Sequence, residues 1–482
     1  MTPSKIPTSK QIYQAYMNNG TRKQISPVDL AKIDTNYKYK APPHIMELNR
    51  LLLQIDDRKI SRLAVFMPPR HGKSELISKY FPAYYLAKHP DHRVLLASYE
   101  ADFAATWGYK ARKILEEHGP SFKNNLSIDN NSRARNRWDI KDHHGGMMTA
   151  GIGGPITGKG ADLLIIDDPV KNSEEANSEI YREKAYDWYK STAYTRLESD
   201  GIIILIMTRW HESDLAGMIL GNSKEDWTIL KLPAFAEDND PLGRKPDDAL
   251  WPARFSHERL LEIEAELGSY WFNAMYQQRP QPPGGSMLKL PWLNHYLQSE
   301  IPDLEELSIF QGWDLAISTN ETADYTVCTT IGVSDDGKIY VLDWYRSRID
   351  FPTQIKCVEK LALKWDPLQI GIESNAYQNA LPQYLIENTM LPIKKVNRTK
   401  DKITRIVSGF VQFENGKVLL PEKHPKLKNF KNEYTYFPHG KHDDMLDSME
   451  LVLQLTKEPT YNMSPDLIVG NDMYEDDYKN YY

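Results

Sequence analysis

Residues 62–80 read RLAVFMPPRHGKSELISKY. Arg62 to Met67 is an apolar run with the length of a buried strand, and from Ser74 onward the spacing predicts a helix. Between them the chain turns through two prolines and reaches Gly72-Lys73-Ser74. Such a strand–loop–helix aims backbone N–H groups and the positive helix end at phosphate oxygens. Lys73 would reach the β- and γ-oxygens, and the Ser74 hydroxyl would hold Mg²⁺. The usual pattern GxxxxGK[ST] has glycine at its first position, where this chain has Met67. A bare GKS tripeptide also fits a surface turn with a solvated lysine, so the reading depends on its surroundings.

Those surroundings alternate. Residues 42–55 (PPHIMELNRLLLQI) have helical spacing. After the helix predicted over 74–88 come a strand at 93–98, a helix at 102–117, and the buried run ADLLIIDDP at 161–169. This rhythm predicts a mostly parallel sheet covered by helices on both faces. A buried strand that ends in Asp167 and Asp168 is where a P-loop enzyme places its second Mg²⁺ contact. Asp167 is the expected metal holder. Asp168 stands where such ATPases carry a glutamate that polarises water, with Glu174 and Glu175 as alternatives. Arg70, inside the loop, reads either as a γ-phosphate contact or as a surface guanidinium. A second buried run, GIIILIM at 201–207, leads into Thr208-Arg209-Trp210-His211. The glycine-rich stretch 145–160 reads as a hairpin or flexible loop, and residues 212–276 read as mostly helix and loop, a candidate lid.

At 482 residues the chain is long enough for two or three domains. Its 26% charged and 41% apolar composition is globular. No apolar run approaches the roughly 20 residues that span a bilayer, and MTPSKIPTSKQIYQ has no apolar core, so it is not read as a secretory signal. Cys328 and Cys357 are the only cysteines, which argues for a reducing compartment with neither a disulfide framework nor a thiolate zinc site. A net charge of −7 leaves nucleic-acid contact to local basic patches.

Residues 277–286, QQRPQPPGGS, hold three prolines and two glycines and are read as a linker. Beyond it the grammar changes to an antiparallel meander: strands at 308–316 and 325–333, an Asp336-Gly337 turn, and a strand at 338–346. Four acids follow in a telling order: Asp314 in the first strand, Glu373 ending the strand 369–373, and Asp443 with Asp447 at the start of the last helix. Carboxylates gathered this closely repel unless cations neutralise them, which suits two Mg²⁺ or Mn²⁺ ions cutting a phosphodiester. Asp444 can replace or assist either of the last two. Read singly, each acid is a cap or a solvated charge, and Asp443 would make a good N-cap. His143, His144, His439 and His442 have no cysteine nearby to complete a zinc site, and His442 would instead help shape the acidic centre. The run KKVNRTKDKITR at 394–405 suits a grip on a phosphate backbone, and a solvated face fits it nearly as well.

With both sites in view, the chain resembles the large subunit of a tailed-bacteriophage terminase over roughly residues 40–457. The resemblance rests on PPRHGKS, LLIIDDP, TRWH, YQQRPQPPGG, GWDLA, GIES and HDDMLD standing in that order. It implies an N-terminal RecA-like P-loop ATPase domain at 41–276, with the lid at about 212–276, and a ribonuclease H-like nuclease domain at 287–457. The remaining segments are an arm at 1–40 and an acidic, Tyr-rich tail at 458–482. The implied activity is ATP-driven translocation of double-stranded DNA into a procapsid, with metal-dependent endonuclease cutting of concatemers. Arg70, Gly72, Lys73, Ser74, Asp167 and Thr208 then bind ATP and Mg²⁺, with Asp168 catalytic and Thr208 in the coupling motif. Asp314, Glu373 and Asp443 match the nuclease acids, with Asp447 a fourth. Lys159, or an arginine among Arg133, Arg135 and Arg137, would reach a neighbouring subunit's ATP. The implied partners are a portal protein and a small terminase subunit in a pentameric working state, in the host-cell cytoplasm. A repair or restriction helicase-nuclease and a non-enzymatic scaffold are the alternatives.

Overall fold

The computed structural model of the chain describes residues 25–122, 125–156, 160–281, 287–316, 324–374 and 379–456. Residues 1–24 of the expected arm, Lys159, residues 282–286 of the expected linker and the tail lie outside them. The chain forms two compact units, one of residues up to Glu262 with Trp271–Gln281, the other of Ile263–Tyr270 and residues from Pro282 onward. Among the described residues no helix is long and apolar enough to cross a membrane.

In the first unit, helix α1 (Pro27–Asp34) starts at a reciprocal cap. The Ser26 hydroxyl accepts from Asp29 N at 3.2 Å, and the Asp29 carboxylate accepts from Ser26 N at 3.0 Å. Helix α2 (Pro43–Asp56) follows. Strand β1 (Arg62–Phe66) feeds the phosphate loop, and Glu75–Tyr80 winds with π-type hydrogen bonding into α3 (Phe81–Lys88). Then come β2 (Arg93–Ser98), α4 (Ala101–His118), β3 (Ile128–Arg133), β4 (Arg137–Ile140), β5 (Gly146–Gly151), β6 (Ala161–Asp167) and β7 (Leu197–Met207). Helices Ser173–Asn177 and Glu179–Trp188 lie between β6 and β7; helix α5 (Leu215–Asn222) and β8 (Thr228–Lys231) follow, and α6 (His257–Met275), broken at Gly268, includes Ile263–Tyr270 of the other unit.

The sheet runs β3-β4-β5-β2-β6-β7-β1-β8, parallel from β5 to β8, with the antiparallel β3–β4 hairpin on one edge. The apolar runs of β6 and β7 are buried on both faces, as a helix-covered parallel sheet requires. The glycine-rich stretch, expected as a hairpin or flexible loop, contains a strand, β5, which pairs antiparallel with β4 and parallel with β2. Its glycines serve close packing, since a Cβ on Gly146 would lie 2.3 Å from Trp138 O and one on Gly151 would lie 2.8 Å from Ala101 N. Residues 212–276 are mostly helix and loop, as expected, with one short strand, β8, parallel to β1, whose four residues are too few to show a period.

The second unit is a seven-stranded mixed sheet, ordered β14-β13-β10-β11-β12-β15-β9. Its strands are β9 (Asn294–Tyr296), β10 (Ser308–Asp314), β11 (Thr326–Val333), β12 (Ile339–Ser347), β13 (Gln369–Glu373), β14 (Ile393–Val396) and β15 (Val418–Pro421). The β10–β11–β12 meander is antiparallel, and β13 pairs parallel with β10. Helices α7 (Phe351–Trp365), α8 (Lys402–Gly409), α9 (Leu427–Tyr436) and α10 (Asp444–Leu455) pack around it. Helix α10 lies directly on β10: a Cβ on Gly312 would stand 2.6 Å from Ser448 O and 2.7 Å from Val452 N. Only a residue without a side chain lets helix and strand approach so closely.

Candidate active sites

In a parallel sheet the carboxyl ends of neighbouring strands open on one edge, and here β6, β7 and β1 stand side by side. The ends of β6 and β1 carry Asp167 and the phosphate loop, and β7 between them delivers Thr208. Lys73 Nζ donates to Thr208 Oγ1 at 2.8 Å and lies 3.4 Å from Asp168 Oδ2, while Thr208 N donates to Asp168 Oδ1 at 3.0 Å. Ser74 Oγ donates to Asp167 Oδ1 at 2.9 Å. Five of the expected residues, Lys73, Ser74, Asp167, Asp168 and Thr208, therefore meet.

The loop needs special backbone: Gly72 has φ of +87°, and Arg70 and Asp168 also sit in the left-handed region. Arg70 is exposed. Asp167 is fully buried, and burial first, then repulsion from Asp168, pushes its carboxyl up to about 7. A hydroxyl and a buried, charge-crowded carboxylate beside a lysine fit an Mg²⁺–nucleotide pair, because the cation would relieve both effects that disfavour the ionised Asp167. Glu175 turns back onto its own loop, accepting from Lys171 N at 2.9 Å, and Glu174 is exposed. Arg133 pairs with Glu116 at 2.8 Å, and Arg135 lies over the Tyr109 ring at 5.8 Å.

Other partners belong to this site. Ser78 Oγ donates to the second Asp167 oxygen at 2.6 Å, and its position four residues after Ser74 on a helical segment was the available signal. Arg209 Nε meets buried Asp214 at 2.8 Å, and Arg209 N donates to Gln278 Oε1 at 3.2 Å. Gln278 and Gln277, the first residues of the expected linker, are buried, and Gln277 bonds both backbone groups of Phe235. Beneath the loop, a ring nitrogen of His71 donates to Pro69 O at 2.8 Å and one of His44 donates to His71 O at 3.0 Å. Burial lowers both imidazoles, to about 3 and about 4 respectively.

In the second unit β10 and β13, adjacent and parallel, carry Asp314 and Glu373, and α10 brings Asp447 and Glu450 over them. These acids converge on an arginine. Arg398 Nη1 lies 2.6 Å from Glu373, 3.0 Å from Asp447 and 3.9 Å from Asp314. Lys402 Nζ bridges Asp443 and Asp447 at 2.6 Å each, and Arg405 pairs with Glu450 at 2.9 Å. The 394–405 run is thus corrected: Arg398 and Arg405 turn into the acidic centre rather than toward a surface phosphate track, because buried carboxylates demand neutralisation. Asp443 does occupy the N-cap position of α10, yet its side chain makes no capping bond. Asp444 accepts from Tyr325 N at 3.2 Å and, with Asp324 and His442, forms a separate trio beside the centre.

Burial, followed by repulsion from Asp447, pushes the Asp314 carboxyl well above its ordinary range. Carboxylates gathered this closely fit divalent cations, with Asp314, Glu373, Asp443 and Asp447 as the oxygen donors. The cations at 398, 402 and 405 escaped sequence reasoning as site residues. Lys402 and Arg405, three apart at the start of α8, carry a helical spacing that would have grouped those two, whereas Arg398 lies in the loop before the helix and carries no such signal.

Two family models match the chain. One, described as "Terminase large subunit, T4likevirus-type, N-terminal", covers residues 65–295, and one described as "Terminase RNaseH-like domain" covers residues 311–455. Among solved structures, the large terminase of a thermophilic bacteriophage in complex with ATP-gamma-S is 10% identical, over 84% of this chain and 98% of that one, with a TM-score of 0.45. The HK97 bacteriophage large terminase is 12% identical, over 84% and 93%, with a TM-score of 0.33. The large terminase nuclease from thermophilic phage G20c with bound magnesium is 15% identical, over 36% and 98%, with a TM-score of 0.29. No curated protein matches the chain.

Proposed function

The chain belongs to the terminase large-subunit family, and from that premise we propose how its residues work a viral DNA-packaging motor. The first unit is the ATPase and the second the ribonuclease H-like endonuclease. The observation that carries the residue-level reading is the meeting of Lys73, Ser74, Asp167, Asp168 and Thr208 at three adjoining strand ends. Lys73 and the loop around Gly72 hold the β- and γ-phosphates, with Arg70 at the γ-phosphate. Ser74 and Asp167 hold Mg²⁺, which when bound neutralises charge developing on the phosphates. Asp168 takes the proton from the attacking water. Thr208, bonded to both Lys73 and Asp168, senses the change and passes it to residues 212–276, the lid.

In the nuclease, Asp314, Glu373, Asp443 and Asp447 would hold two Mg²⁺ or Mn²⁺ ions, which when bound would supply an activated water and stabilise the leaving oxygen. The side chains fix where the scissile phosphate sits. The substrate is concatemeric double-stranded DNA. The partners we propose are a portal protein, a small terminase subunit and further copies of this chain in a pentamer on the procapsid, in the host cytoplasm.

Supercoiled plasmid incubated with full-length protein and Mn²⁺ tests the nuclease assignment. Wild type is expected to cut and Asp314→Asn is not. Equal cutting by both proteins would overturn the assignment of Asp314.

A further inference from the structure

The acidic centre of the second unit already contains a cation of its own. Arg398 stands two residues past the end of β14, the strand that pairs with Glu373's strand. Its guanidinium is 7% exposed. One nitrogen, Nη1, faces Glu373 at 2.6 Å, Asp447 at 3.0 Å and Asp314 at 3.9 Å, while Nη2 donates to Asp447 O at 2.8 Å. A metal ion bound by these three carboxylates would lie about 2.0–2.2 Å from each oxygen, at their common centre. That centre is where Nη1 points. Ion and guanidinium are both cations, so they compete by charge as well as by volume.

The competition is not for a neutral hole. Around Asp314, Glu373, Asp443, Asp447 and Glu450 stand Arg398, Lys402 and Arg405. These five carboxylates, with Asp444 also acting on Asp314, face three cations, and negative charge remains to attract an ion. An arginine cannot yield by losing its proton. It yields only by moving away.

We propose that Arg398 occupies a metal position of the nuclease centre, so that guanidinium and divalent cation exclude one another and cleavage requires enough of the ion to displace Arg398. The proposal rests on the nuclease reading above, and it adds that the chain regulates its own metal affinity. Lys402, bridging Asp443 and Asp447, supports the same latch from the exposed side.

Nucleotide-free full-length protein is titrated with MnCl₂, and bound ion is followed by electron paramagnetic resonance, a readout independent of cutting. Arg398→Gln is expected to bind Mn²⁺ roughly tenfold tighter than wild type, and the gain should vanish when Asp314→Asn is added. Lys402→Gln, at a partly exposed side chain, should shift affinity in the same direction and serves if Arg398→Gln fails to fold. If both variants bind Mn²⁺ no tighter than wild type while Asp314→Asn loses the ion, the competition is wrong and the metal centre stands. If Asp314→Asn removes no bound ion in any background, the proposal and the nuclease reading fall together.

Discussion

His71 sits inside the phosphate loop, where a solvated side chain would be ordinary, yet it is fully buried and stacks on Phe255 at 4.8 Å. Its ring ties down the Pro69 carbonyl, and His44 ties down the carbonyl of His71 itself. Both rings titrate below the ordinary 6.5, at about 3 and about 4, because burial penalises the charged form. The unfolded chain therefore binds protons more readily than the folded one between those values and 6.5. The stability these groups contribute is complete above about 6.5 and is lost as pH falls toward about 4. Melting temperature followed from pH 7 to pH 5 should drop less steeply in His71→Gln than in wild type. Parallel curves would show that the ring is not held neutral. At the same scale, Lys73→Ala removes a side chain that bonds Thr208 while facing Asp168. ATP hydrolysis should fall by at least about 100-fold, as when one preorganised donor is deleted from a charged site.

At the scale of elements, the nuclease centre depends on how closely α10 lies on β10. The strand holds Asp314 and the helix holds Asp447, and Gly312 is the point of contact. Gly312→Ala would set a methyl against Ser448 O and Val452 N, both backbone atoms that cannot rotate away. The helix must lift, at a cost of about 1–3 kcal/mol. For a unit of this size that lowers the melting temperature by roughly 2–4 °C per kcal/mol. Mn²⁺-dependent cleavage should be lost more completely than stability, since the acids separate before the fold fails. Calorimetry and plasmid cleavage on the same variant decide this, and full cleavage would mean that the spacing is not critical. The first sheet has a corresponding device in β7, whose central place puts Thr208 between the ends of β1 and β6.

At the scale of the whole molecule, the two charged centres are built in separate units. Their chemistries should separate by mutation: Lys73→Ala should keep Mn²⁺-dependent cleavage, and Asp314→Asn should keep ATP hydrolysis. Loss of both reactions in either variant, measured in one preparation, would contradict that division. Much of this organisation is written in local sequence. The βα rhythm, the meander and the acids at strand ends follow from apolar runs and turn residues, which act over a few neighbours. GKS and the paired aspartates after LLII could be named because each follows a buried strand, whereas Thr208 is named from the resemblance to the terminase family. What the chain order does not contain is which strands lie side by side. β5 hid in a glycine-rich stretch because its glycines answer to backbone packed against them, and β8 was too short to show a period. The basic run at 394–405 reads as a surface feature in one dimension. Only folding places Arg398 among Glu373, Asp447 and Asp314, because their charges interact through space across β13, β10 and α10. Local propensity thus determined the elements and most of the reactive residues, while the cation that answers the nuclease acids was decided by tertiary contact.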